Sequence, residues 1–261
     1  MEKILNHQKK TMVVYTALFG DYDFLIDPRM AYDGCDFICF TDRDTLQTNK
    51  IWKPIKTNKR FPSPVVANRH FKWLPHRYFQ NYEFSLYLDS NIILYTDPIK
   101  LAEKYLSLAD IAMPKHPFRN CLYDEMISCI FCNKLTLKQV FKQAVTYKRM
   151  GYPINNGLYE QGIILRKHND KKLTACMLSL WNELERWGNF RDQIVFPYVK
   201  WTNNLTAVAM EENARSNTEF VYLVHKNQHN NVLKKILTAM QLRKRRVLDI
   251  SILKLVLQFI R

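Results

Sequence analysis

Between Tyr82 and Leu94 an apolar run is broken once, by polar residues, and then resumes. Phe84, Leu86 and Leu88 alternate with Ser85 and Tyr87, the run ends in Asp89-Ser90-Asn91, and apolar sequence returns at Ile92. The first half reads as a β-strand. A carboxylate at the carboxyl end of such a strand faces the crevice beyond the sheet edge, where open α/β sheets bind their ligands. Asp89 and Asn91 offer two hard oxygen donors at a spacing that suits Mg²⁺ or Mn²⁺ bridging a diphosphate. From these residues alone the plainer reading is a turn, with Asp89 capping it and Asn91 helping.

Around this stretch, apolar strands alternate with helical segments. Thr11–Leu18, Cys35–Phe40, Asp110–Met113 and the Gly162–Arg166 segment read as strands; Asp97-Pro98 starts a helix to about Ser107, and Leu135–Met150 and Leu173–Trp187 read as helices. Between the second and third strands, Asn68–Tyr78 carries basic and aromatic residues, with Asn68 as an N-cap and Pro75 as a break. The alternation predicts one α/β domain over residues 1–230, with a mostly parallel central sheet flanked by helices, followed by a basic amphipathic helical tail over 231–261. Asp21, Asp42 and Asp89 then fall at or just after the ends of the first three strands, so a parallel sheet brings them to one edge. Arg69 and Lys72 share a helical face nearby. They suit phosphates, with Asp42 accepting hydrogen bonds from a base or ribose; a solvated basic face is the plainer alternative.

Six glycines in 261 residues leave no GxGxxG and no GxxxxGK[ST], which argues against dinucleotide-binding Rossmann enzymes, P-loop NTPases and protein kinases. The basic amino terminus lacks the apolar core and cleavage site of a secretory signal. The six cysteines form no repeating framework, so a reduced, cytosolic chain is expected. Cys129 and Cys132 form one CxxC inside an apolar run, which fits core packing better than zinc. The formal charge of +15 is uneven, with eight Lys or Arg against one Asp from Lys234 to Arg261. Arg243–Arg246 precedes an apolar run too short and interrupted to span a bilayer. This pattern fits an interfacial anchor on an anionic leaflet, or a terminal helix packed on the domain or on another subunit. No nucleic-acid-binding motif accompanies the charge, so no nucleic-acid partner is expected.

The ordered motifs together resemble a known family. Thr16–Asp23, Cys35–Asp42, Arg69-xx-Lys72-xx-Pro75-His76, Tyr87–Asn91, His116–Glu125, Gly157–Arg166 and Arg191-Asp192-Gln193 look like the TOD1/MUCI70 glycosyltransferase-like family, over about residues 12–201. The resemblance implies a GT-A-like fold, a nucleotide-sugar donor such as a UDP-sugar, and a DxD-type motif for Mn²⁺ or Mg²⁺. Asp89-Ser90-Asn91 takes the DxD position, with Asn where a second Asp is expected. By the same resemblance, Asp89 contacts metal or donor ribose, and Asp42 and Arg69 hold the nucleoside. Lys72 meets the phosphates, and the Phe19-Gly20-Asp21-Tyr22 loop wraps the base. A late His is expected as a third metal ligand, at His225 in preference to His229.

An inverting transferase also needs a carboxylate to take the acceptor proton. Asp192 fits that place, although an Asp before an apolar helix is also a common N-cap. A retaining enzyme needs no such base and draws attention to Gln161 or Glu160 near the donor sugar. Arg119, Asp124 and Glu125 are expected on the acceptor side. The reading is therefore a metal-assisted glycosyltransferase in cell-surface polysaccharide synthesis. It uses a glycan or glycolipid acceptor and sits peripherally at the cytoplasmic face of the plasma membrane, with homo-oligomerisation open. The alternative is a non-catalytic protein that binds glycan or anionic polymer on a degenerate GT-A domain. A lipid hydrolase has less support, because no GxSxG is present.

Overall fold

The computed structural model describes residues 10–21, 23–46, 48, 50–215, 218–223 and 247–259. Its centre is a seven-stranded sheet in the order β3-β2-β1-β4-β7-β6-β8. These strands are β1 (Lys10–Leu18), β2 (Cys35–Thr41), β3 (Lys53–Lys56), β4 (Tyr82–Leu88), β6 (Ile111–Pro114), β7 (Ile163–Lys167) and β8 (Ala207–Met210). The β1–β2, β1–β4, β2–β3 and β6–β8 pairs are parallel, and β7 alone runs against both its neighbours. The expected α/β fold with a mostly parallel sheet is therefore present. β5 (Ile92–Leu94) and β9 (Phe220–Tyr222) form a second, antiparallel pair.

β1 is buried on both faces from Met12 to Leu18, as expected of a continuous apolar run inside a parallel sheet. Its pleat divides the core. Val13, Tyr15 and Ala17 face a layer containing the helices α1 (Pro64–Trp73), α3 (Leu122–Phe131), α4 (Leu137–Arg149), α5 (Lys171–Trp187) and α6 (Asp192–Thr202). Met12 and Val14 face α2 (Pro98–Leu106) and the β5–β9 pair. The helix ends follow local chemistry. Asp97 caps α2 with Pro98 at N1, Thr136 and Gln139 make a capping box on α4, and α5 stops at Gly188, whose φ of +64° suits glycine.

Three local expectations are revised. α1 starts earlier than expected, because Ser63 accepts the Val66 N–H and Pro64 presets the first turn. Asn68 is thus inside the helix, with Nδ2 donating to the Ala17 carbonyl and the Tyr87 hydroxyl. α3 occupies a segment read only as loop motif and apolar run. Cys129 is in its core face while Cys132 is exposed at its end.

The tail is partly a packed helix. Residues 247–259 are helical, Leu253 is fully buried in the larger core, and Ile250 and Leu257 pack against it. Leu248, Leu255 and Phe259 are exposed. The basic cluster Arg243–Arg246 lies outside the described residues. No helix among the described residues is long and apolar enough to cross a membrane. Truncating Leu253 to Ala should lower the unfolding free energy by about 2–4 kcal/mol in urea titration. A change below about 0.5 kcal/mol, typical of surface sites, would show that the helix does not pack on the domain.

Candidate active site

The carboxyl ends of β1 and β4, the amino end of the reversed strand β7, and the amino ends of α1 and α6 meet at one sheet edge. They enclose a cleft of about 1170 Å³. The antiparallel register pairs Leu88 with Ile163, and Asp89 N–H donates to the Gly162 carbonyl at 2.8 Å. Asp89 therefore lies beside Gln161-Gly162, and a Cβ at Gly162 would come within 3.1 Å of Asp89 Oδ2. A side chain there would press on the Asp89 carboxylate and on Ile92.

Asp192 forms the charged floor. It is 3% exposed, and its Oδ2 meets Lys72 Nζ at 2.9 Å and Arg69 Nε at 3.1 Å and accepts from Trp73 Nε1 at 3.1 Å. Arg69 and Lys72 are three apart on α1, so one carboxylate reaches both. The basic face of α1 is thus not solvated: Lys72 is 2% exposed. Burial alone would raise the Asp192 carboxyl, but the Arg69 and Lys72 charges outweigh burial and hold it well below the usual carboxylate range. The base role expected for Asp192 does not suit this arrangement, because a carboxylate so stabilised as an anion is a poor proton acceptor. Nor is it an N-cap, since Arg191 takes that position in α6 and no side chain caps it. Gln161 is 5% exposed; its Nε2 donates to the Asp192 carbonyl, while its Oε1 has no hydrogen-bond partner among the described residues.

Asp89 is half-buried, and its Oδ1 accepts from the Tyr87 hydroxyl at 2.9 Å. Burial, then the charge of Asp89, pushes the Tyr87 phenol well above its ordinary value and keeps it a donor. Asn91 is 1% exposed, with Nδ2 donating to the Leu223 carbonyl at 2.7 Å. No cluster of three or more His, Cys, Asp or Glu side chains able to hold a metal occurs among the described residues. The Asp89 carboxylate and the Asn91 amide oxygen both belong to residues lining the cleft. As hard oxygen donors they suit a Mg²⁺-type ion, of which they would supply part of the shell. His225, the expected third ligand, lies outside the described residues, as do His229 and Tyr22.

Several expected positions fall elsewhere. Phe19 and Asp21 line the cleft, but Phe19 is 5% exposed and stacked on Phe71 at 5.4 Å, so it gives the cleft only an edge. Asp42 does not line it. Its carboxylate accepts the Gly20 N–H at 3.0 and 3.1 Å and so fixes the loop after β1. Arg43, which the sequence reading passed over, donates to the Gly20 and Asp23 carbonyls and completes the clamp. Arg119, Asp124 and Glu125 are also not lining residues. Asp124 is exposed in the first turn of α3, whereas Glu125 is 3% exposed and pairs with Arg119 at 2.8 Å and Arg191 at 3.7 Å. Arg191 does line the cleft, so Glu125 reaches the site only through it. Replacing Asp192 with Asn should destabilise the fold by about 3–5 kcal/mol in urea titration, because two cations lose their buried counter-charge. A loss under about 1 kcal/mol, the range of exposed pairs, would mean that this ion pair is solvated.

The family model described as TOD1/MUCI70, glycosyltransferase-like domain, matches residues 2–229. The chain is 28% identical over 228 residues to the Arabidopsis thaliana protein named alkaline ceramidase TOD1, covering 74% of this chain and 49% of that protein. It is 27% identical over 221 residues to the probable hexosyltransferase MUCI70 of the same plant, covering 74% of this chain and 38% of that protein. The chain thus spans half or less of the length of these relatives. It also overlays on the apo structure of the WbbM bifunctional glycosyltransferase with a TM-score of 0.48 at 10% identity, over 87% of this chain and 47% of that one. With its cleft, its motifs in order and this match along most of its length, the chain belongs to the TOD1/MUCI70 glycosyltransferase-like domain family.

Proposed function

We propose that the protein is a glycosyltransferase that uses a nucleotide-sugar, with UDP as the first nucleotide to test, and a divalent ion to extend a glycan or lipid-linked glycan. The observation that carries this reading is the convergence of Asp89, the Arg69–Asp192–Lys72 group and Gln161 on one cleft at the sheet edge. Asp89 and Asn91 are the residues that would hold the ion, which supplies charge neutralisation to the departing diphosphate.

The chain's own groups do the rest. Arg69, with 18% of its side chain exposed, presents positive charge to the cleft while Asp192 holds its orientation. Such preorganised charge stabilises a developing anion without reorganisation at the moment of reaction. Asp192 is a positioning residue in this scheme. Gln161, whose amide oxygen has no hydrogen-bond partner among the described residues, is suited to accept a hydrogen bond from a sugar hydroxyl. The loop held by Asp42 and Arg43 forms the nucleoside side of the cleft. Docking at an anionic membrane surface is part of the proposal. The exposed Leu248, Leu255 and Phe259 on the terminal helix, following the Arg243–Arg246 cluster in sequence, support it.

One observation favours the second reading, a non-catalytic glycan-binding domain: the Asn91 amide is committed to Leu223, which leaves the ion one carboxylate ligand at this motif. The name of the first relative points instead to a lipid-amide hydrolase, a reading with no nucleophile elbow in this sequence. Titration calorimetry with UDP separates the readings. Binding that requires Mn²⁺ and falls at least about tenfold, or about 1.4 kcal/mol, in Asp89→Ala supports the transferase. Nucleotide binding that is absent, or indifferent to both the metal and Asp89, rules it out.

A further inference from the structure

The two walls of the cleft differ in charge. The loop after β1 brings Asp21 and Asp23, whereas the turns between α3 and α4 and between α5 and α6 bring Lys134 and Arg191. Both cations follow a residue in the left-handed region, Asn133 at φ +57° and Phe190 at φ +49°. Asparagine tolerates that conformation; a bulky phenylalanine does not, and strain of this kind gathers at functional positions. The surroundings hold it in place. Asn189 Oδ1 accepts the Arg191 N–H at 3.0 Å, Asn189 Nδ2 donates to the buried Gln143 at 2.8 Å, and Phe190 packs on Trp181.

Arg191 is built in from behind as well. Its carboxylate neighbour is Glu125, at 3.7 Å, and that group is already engaged by Arg119 at 2.8 Å. Its Nε has no hydrogen-bond partner among the described residues, and 23% of its side chain is exposed. Lys134, held by its N–H to the Cys129 carbonyl at 2.8 Å, is exposed. The buried carboxylates Glu125 and Asp192 both act on Arg191, but Glu125 is shared with Arg119 and Asp192 with Arg69 and Lys72. Lys134 adds an exposed cation, so cations outnumber these carboxylates.

We propose that Arg191 and Lys134 form an oxyanion subsite that selects an acidic acceptor, through a carboxylate of a glycan or a phosphate of a lipid-linked glycan. This rests on the transferase reading, in which the donor's diphosphate lies at Asp89 and Arg69 and leaves this wall to the acceptor. A guanidinium and an ammonium lining one cleft match either oxyanion, and charge-assisted contacts of this kind weaken with salt when partly exposed.

The test uses the full chain and the variants Arg191→Gln, Lys134→Gln and the double variant, each checked for an unchanged thermal transition. Cellobiouronic acid is titrated against cellobiose, farnesyl phosphate against farnesol, and UDP with Mn²⁺ alongside. The wild type should prefer one acidic probe to its neutral counterpart by about tenfold or more, and the double variant should lose that preference while keeping its UDP affinity. Which acidic probe is preferred identifies the source of the oxyanion. No preference in the wild type, or a loss of UDP affinity in place of acid preference, overturns the subsite. A wild type that discriminates the acidic probe but does not bind UDP would instead defeat the donor reading and leave the subsite standing. If Arg191→Gln fails to fold, the exposed Lys134→Gln carries the same comparison.

Discussion

The buried Asp192 carboxylate joins α1 to α6 and sets the charge of the cleft floor. Taking Lys72 and Asp192 out of water is expensive, and the arrangement persists because Lys72 and Trp73 donate to one oxygen that is also ion-paired with the Arg69 guanidinium. A second layer supports it from beneath. The Lys72 carbonyl accepts from the Tyr15 hydroxyl and from the fully buried Arg166, both at 2.9 Å, and Arg166 lies over the Trp73 ring. The end of α1 is thus fixed to β1 and β7 by polar contacts as well as by packing. A carboxylate in this position organises the cations around it.

The direction of β7 determines what meets Asp89. Had β7 run parallel to β4, its carboxyl end would lie at the cleft and Gln161-Gly162 at the opposite edge. Reversal instead brings the residues before the strand, Gln161 and Gly162, against Asp89. The site therefore combines residues that follow β1 and β4 with residues that precede β7, and the missing Cβ of Gly162 gives the Asp89 carboxylate its room.

Much of this was legible in the sequence where the signal is local. The apolar runs of β1, β2 and β4 gave their positions, Asp97-Pro98 marked the start of α2, and acids at strand ends marked the edge. What stayed hidden depends on distance along the chain or on details of packing. Nothing near Asp192 reveals that it meets Arg69 and Lys72, more than a hundred residues earlier. Asp42 and Glu125 have the composition of ligand-binding acids, yet their partners are a backbone N–H and two arginines of the same chain. The direction of β7 is equally unreadable, because its run of three apolar residues, Ile163, Ile164 and Leu165, looks alike in both senses.

Asn91 stands where the motif leads one to expect a second acid. Its backbone carbonyl accepts the Leu223 N–H at 3.0 Å while its side-chain amide donates to the Leu223 carbonyl at 2.7 Å. This extends the β5–β9 ladder by one more residue pair. An aspartate has no N–H to offer, and its anion would be set against a carbonyl oxygen. The departure at this position therefore suits strand pairing: the residue that follows the cleft carboxylate by two is also a clasp on the small sheet.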